Sequence, residues 1–244
     1  MLPDTENGPS ESLPLWRVNL PGRPLAGLTV LVVEDSRFAS EAVRLLCLRS
    51  GARIRRADSL KSAARHLLTY RPAVVIVDLG LPDGDGCDLI RQIAATEPRV
   101  PVILGISGNP DLQDNALAAG AHGFLAKPVE SLAIFQQTIL SALPAEARGR
   151  GLRLLPTEVI QPDTSGLRDD LAHVAEVLSS ARDTAAVEYI ARFLAGVARS
   201  AHDPDLEAAA TALARDHMAG NALATDLARI SGMVQDRLAN VAEM

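Results

Sequence analysis

Lysine is almost missing from this chain of 244 residues: among its 24 basic residues only Lys61 and Lys127 are lysines, and the rest are arginine. Cysteine is equally scarce. Cys47 and Cys87 stand far apart with no CxxC or Cys/His spacing, which excludes a disulfide framework or a zinc site and leaves both thiols structural or incidental. No run of about 18 apolar residues is present to span a bilayer, and the acidic, proline-bearing start lacks the basic-then-apolar pattern of a cleavable signal. A cytoplasmic protein with no membrane partner is therefore expected. A basic excess is missing too, since the net charge is -6 and the pI about 5.4, which argues against a strongly electrostatic binder of nucleic acid or anionic lipid. What the chain does have is apolar material: 48% hydrophobic against 22% charged residues is enough for one large or two modest soluble domains.

Residues 1–25 are rich in Pro, Gly and Ser and read as an irregular arm, with Leu15, Trp16 and Val18 as candidates to dock elsewhere. From residue 26 to 146 short β-branched runs alternate with amphipathic helical stretches, the pattern of a parallel sheet wrapped by helices. Strands are predicted at residues 29–33, 53–57, 73–77, 102–106 and 122–126. The second run, RIRRA, is poor in apolar residues and suits a charged edge, as the strand order 2-1-3-4-5 requires. Residues 147–164 mix Pro, Gly and Arg with weak periodicity and read as a linker, with a short ordered piece at LRLL. Residues 165–244 carry apolar positions at helical spacing and are expected to form four helices, an all-α bundle or dimerising module. Asp203-Pro204 is a helix start and Ala219-Gly220-Asn221 a break before the last helix.

In a sheet of this order the ligand site lies beyond the carboxyl ends of the strands, where the order reverses. Glu34 and Asp35 follow the first strand, Asp78 ends the third, Ser107 ends the fourth and Lys127 ends the fifth. Three carboxylates converging there would repel one another, and a hard divalent cation with oxygen ligands, typically Mg²⁺, is the natural counter-ion. The lysine is an independent sign, because a chain so biased toward arginine still places one here.

The Glu34-Asp35 pair, the DLGLPDGDG run from Asp78, the strand-ending Ser107 and the Lys127-Pro128 pair resemble the receiver domain of two-component response regulators. The resemblance implies a flavodoxin-like fold and a phosphoacceptor at Asp78, which takes its phosphoryl group from a histidine kinase or phosphotransfer protein. Asp35, Asp78 and the Gly80 carbonyl would hold Mg²⁺, with Glu34 acting through water, while Ser107 and Lys127 would take phosphoryl oxygens. Ser107 and Phe124 would be the switch pair. The protein would then be no enzyme in the ordinary sense but a phosphoacceptor catalysing its own phosphoryl transfer and dephosphorylation. Gly108 departs from the family, where alanine is common, and leaves more room beside the phosphate. Pro82, Gly84 and Gly86 read as loop geometry.

For the helical module three readings compete. A protein-interaction or dimerisation role is the leading one. A divergent phosphotransfer bundle would make the chain a phosphorelay intermediate, but no lysine follows His173, His202 or His217 as that family's pattern requires. DNA is not expected as a partner, because residues 165–244 hold 12 acidic residues against 7 arginines.

Overall fold

The computed structural model describes residues 22–144, 154–180 and 184–242. The docking candidates Leu15, Trp16 and Val18 lie outside the described residues, as do the first two residues of LRLL. Five parallel strands, β1 (Thr29–Val33), β2 (Arg53–Ala57), β3 (Val74–Asp78), β6 (Val102–Ser107) and β7 (Gly123–Ala126), lie in the order β2-β1-β3-β6-β7. This is the expected 2-1-3-4-5 sheet. The numbering gap is filled by a two-stranded hairpin, β4 (Gly80–Leu81) with β5 (Gly84–Asp85), inside the loop that follows Asp78.

The sequence explains the order. β1, β3 and β6 are near-continuous Val/Ile/Leu runs, which suits strands covered on both faces. β2 alternates exposed arginines with a half-buried Ile54 and takes the edge. One apolar layer packs α1 (Arg37–Ser50) and α5 (Leu132–Ala142) around Phe135, Leu46 and Ile76. The opposite layer packs α2 (Leu60–Thr69), α3 (Gly86–Ala95) and α4 (Gln113–Ala118) around Ile90, Val75 and Ile103. Ser36, Ser59, Asp85 and Ser131 cap helices with their side chains, and Gly51 ends α1 in the left-handed conformation at φ 84°. Gly86 is obligatory for a different reason: a Cβ there would sit 2.0 Å from the Asp78 carbonyl oxygen, so the hairpin loop can fold back under the strand end only with glycine.

Two segments read as irregular are packed. Leu25, at the end of the presumed arm, is fully buried, and its N–H donates to the Ser50 carbonyl at 2.9 Å. Within the segment read as a linker, Ile160 joins the core of the sheet domain and pairs its N–H with the Glu130 carbonyl at 2.9 Å, while Leu132 donates to the Glu158 carbonyl at 3.1 Å. Isolated apolar residues in a proline-rich run have no periodicity to reveal them.

Four helices follow: α6 (Thr164–Ser180), α7 (Thr184–Ser200), α8 (Pro204–Met218) and α9 (Ala224–Ala242). They share a separate core centred on Ile190, Leu194, Leu213, Ile230 and Val234. Asp203 caps α8 by accepting from Leu206 N–H and holds Arg237 of α9 in a bidentate pair, so one carboxylate serves two helices. No described helix is long and apolar enough to cross a membrane. Since Ile160 is the apolar anchor of the connecting segment, Ile160→Ala should lower unfolding free energy by about 2 kcal/mol. Urea denaturation of the full chain checks this, and an unchanged midpoint would mean that the segment is not anchored there.

Candidate functional site

The register of the parallel strands decides what meets at their carboxyl ends. β3 pairs with β1 through Val77↔Val33 and with β6 through Asp78↔Ile106, so the residues after β1 flank Asp78. β7 aligns Ala126 with Ser107, which delivers Lys127 over the same edge. Glu34, Asp35, Asp78, Gly80, Ser107 and Lys127 therefore line one cleft, while Phe124 lies outside it. Glu34, Asp35 and Asp78 each offer an oxygen within 4.8 Å of the others. Lys127 Nζ lies 2.9 Å from Asp78 Oδ2 and 2.7 Å from Glu34 Oε2. Gly80 lines the cleft, and its N–H donates to Asp78 Oδ1 at 3.3 Å. Ser107 is buried, and its hydroxyl accepts from Asn109 N–H at 3.1 Å. Phe124 packs against the sheet, with Cδ2 3.3 Å from where a Cβ on Gly105 would stand.

The electrostatics are those of an acid cluster short of positive charge. Burial, then the neighbouring Asp78 charge, pushes the Glu34 pKa well above the usual carboxylate range. Asp35 is pushed up to about 7 by the same two causes, against the opposing pull of Lys127 and a hydrogen bond from Tyr189. Burial alone would drive the proton off Lys127, but the carboxylates of Asp78 and Glu34 outweigh it and raise its pKa. Glu34 Oε2 is fully buried, with the ion-pair contact to Lys127 and no well-directed hydrogen bond. One lysine against three crowded carboxylates fits a hard divalent cation bound among oxygen donors. Cys47, by contrast, is simply buried, its thiol pushed up to about 12, and Cys87 is buried in the opposite core layer.

The helical domain adds groups that sequence reasoning missed. Asp170 of α6 is buried and accepts three hydrogen bonds from the start of α1: Ser36 Oγ at 2.7 Å, Arg37 N at 2.8 Å and Phe38 N at 3.0 Å. It thus caps a helix in the other domain. Tyr189 of α7 donates its hydroxyl to Asp35 Oδ2 at 3.1 Å. A cavity of about 380 Å³ lies between Asp78 and α7, lined on the far side by Arg192, Gly196 and Arg199. In sequence Asp169-Asp170 looks like a solvated helix face, and Tyr189 carries no motif. The one available signal is Gly108, whose missing side chain leaves room for α7: a Cβ there would meet Arg199 Nη1 at 3.3 Å and Gly196 Cα at 3.5 Å.

None of the three histidines lines the Asp78 cavity. His173 Nε2 is 3.3 Å from the Tyr189 hydroxyl, His202 Nε2 is 2.7 Å from Glu130 Oε1, and His217 sits in the last turn of α8.

This fold and this strand-end cluster are those of a receiver domain of two-component signalling. Residues 30–138 match the family of the response regulator receiver domain, and the chain carries that domain. The KDP operon transcriptional regulatory protein KdpE of Escherichia coli (strain K12) is 38% identical over 101 residues, 41% of this chain and 44% of that protein. The transcriptional regulatory protein PhoP of the same strain is 33% identical over 103 residues, 41% of this chain and 46% of that protein. The chain thus spans less than half the length of the curated relatives it matches, and the matched length is that of the receiver region alone. Among solved structures, the receiver domain of sensor histidine kinase PA1611 from Pseudomonas aeruginosa PAO1, with magnesium in its active-site cleft, is 29% identical. It covers 48% of this chain and 97% of its own, at a TM-score of 0.43. The response regulator receiver domain from Methylobacillus flagellatus is 28% identical, covering 46% and 98%, at a TM-score of 0.42.

Removing the lysine should expose the charge imbalance. Lys127→Ala leaves Glu34 and Asp78 buried without their cation and should cost about 3 kcal/mol. Burial raises the Glu34 pKa in the wild type as well, but Lys127 pulls it down, and the variant loses that pull. The folded variant therefore holds a proton at pH values where the folded wild type has released it, and its stability deficit should widen as pH rises above the raised wild-type Glu34 pKa. Urea unfolding at a series of pH values reads both effects, and a pH-independent deficit would contradict this account.

Proposed function

We propose that the chain is a cytoplasmic response regulator phosphorylated on Asp78 by the phosphohistidine of a histidine kinase or phosphotransfer protein. The observation that carries this reading is the convergence of Asp35, Asp78, Ser107 and Lys127 on one strand edge, with Lys127 Nζ 2.9 Å from the acceptor carboxylate. In the transfer, an Asp78 carboxylate oxygen attacks phosphorus, the phosphorus–nitrogen bond breaks, and the imidazole leaves as a neutral ring after gaining a proton. Lys127 pairs with one phosphoryl oxygen and Ser107 donates its hydroxyl to another, stabilising charge as it spreads over the transferring group. Mg²⁺ would be held by Asp35, Asp78 and the Gly80 carbonyl, with Glu34 acting through water, and would offset the carboxylate and phosphoryl charge. Ser107, drawn toward the phosphoryl group, vacates space that the Phe124 ring fills, which changes the surface around α4, β7 and α5.

The helical domain, on this reading, is a protein-interaction or dimerisation module that senses the change. Twelve acidic residues against seven arginines over residues 165–244 support a protein partner over DNA. Curated relatives named as transcriptional regulators match only the receiver region, so their names carry no output function across.

Incubation of the full chain with phosphoramidate and Mg²⁺, followed by phosphate-affinity electrophoresis, tests the phosphoacceptor. One retarded band is expected, abolished by Asp78→Asn and by chelation of the metal, and formed about a hundredfold more slowly by Lys127→Ala. A band that persists in Asp78→Asn would overturn the assignment.

A further inference from the structure

The helical domain does not merely sit beside the phosphoacceptor; it walls it in. Three anchors surround Asp78. Asp170 holds the first turn of α1, which follows Asp35 directly. Tyr189 holds Asp35 itself. The backbone of α7 at Gly196 lies against Gly108, next to Ser107. Close packing at Gly166 tightens the first anchor, since a Cβ there would stand 3.0 Å from Phe38 N. A phosphoryl group on Asp78 would therefore project into the cavity whose opposite wall is α7.

The charges on that wall decide what the cavity suits. The ionisable groups contributed by α7 are Arg192 and Arg199; α8 contributes Thr211 and no acid. Arg199 lies against Gly108, steadied by Glu207 through its Nε at 2.8 Å. Arg192 is half exposed, with Glu188 no closer than 4.0 Å, so its guanidinium has donors to spare. From the receiver side come Glu34, Asp35, Asp78 and Lys127. Guanidinium pairs match phosphoryl oxygens in geometry and charge.

We propose that the helical domain supplies the outer half of the phosphoryl site. Arg192 and Arg199 close over the group on Asp78 while Tyr189 positions Asp35, so phosphorylation tightens the docked domain instead of releasing it. This rests on Asp78 being the phosphoacceptor and adds residues that the receiver alone lacks. By linkage, docking then stabilises the phosphorylated state by the same free energy with which phosphorylation favours docking.

Hydrogen exchange of the full chain, with and without Mg²⁺ and beryllofluoride, tests it through peptides holding the Arg37 and Phe38 amides, both donated to Asp170. Exchange there should slow about fivefold or more with the phosphoryl mimic. Small-angle scattering should show no expansion. Arg192→Ala, a half-exposed change that should fold normally, should lose most of that slowing, as should Arg199→Ala, and Arg192→Lys should recover part of it. Faster exchange with an expanded particle would overturn the proposal, showing that the phosphoryl group expels the domain. Unchanged exchange, or equal slowing in the arginine variants, would also overturn it. Absence of Asp78-dependent labelling by phosphoramidate is the separate outcome that would remove the phosphoacceptor reading itself.

Discussion

The charge balance at the carboxyl edge of the sheet is what the other features answer to. Three carboxylates are held within reach of one another in a largely buried cleft, and Lys127 is their shared counter-ion. Unscreened repulsion between such groups is worth several kcal/mol, so the site exists only because the fold fixes its members rigidly. That rigidity comes from register. Apolar β1, β3, β6 and β7 are locked side by side by cores on both faces, and a slip of one residue would invert every side chain. The charged strand ends are thus stabilised by the apolar strand middles.

The same charge imbalance accounts for how the second domain sits. An acidic cleft attracts a wall of positive charge, and α7 offers Arg192 and Arg199 although residues 165–244 are acidic overall. The opposite pole is also matched. The first turn of α1 presents unpaired N–H groups and a positive dipole end, and Asp170 meets both. Burial is the larger influence and raises the Asp170 pKa above its ordinary value, with the three hydrogen bonds and Arg56 pulling against it.

How much of this was legible in the sequence follows from the range of each interaction. Strand order, the edge position of β2 and the meeting of Glu34, Asp35, Asp78, Ser107 and Lys127 are set by periodicity and strand-end position, which a sequence displays directly. The helix boundaries around Asp203-Pro204 and Gly220 are equally local, since caps and breakers act within a turn. Ile160, Leu25 and Asp170 were not legible. Each gains its role from a partner distant in the chain, Asp170 from residues 133 and 134 positions away, and no spacing rule links them. The histidines show the converse: the sequence offered them as candidates, and packing gives them Tyr189 and Glu130 as neighbours, away from the Asp78 cavity.

Gly108 joins these two levels. As a departure from the receiver pattern it signalled only spare room beside the phosphoryl position. In the folded chain that room is taken by another domain: an added methyl group would be tight against Arg199 Nη1 at 3.3 Å and in ordinary contact with Gly196 Cα at 3.5 Å. A methyl group at 108 would touch the α7 backbone at Gly196 and ask the Arg199 guanidinium to give by a few tenths of an ångström. The glycine therefore belongs to the interface as much as to the receiver. Since α7 also bears Tyr189 and Arg192, one backbone approach sets the position of all three side chains over the site. On the proposed reading, that single approach of α7 is what ties the chemistry at Asp78 to the placement of the helical domain.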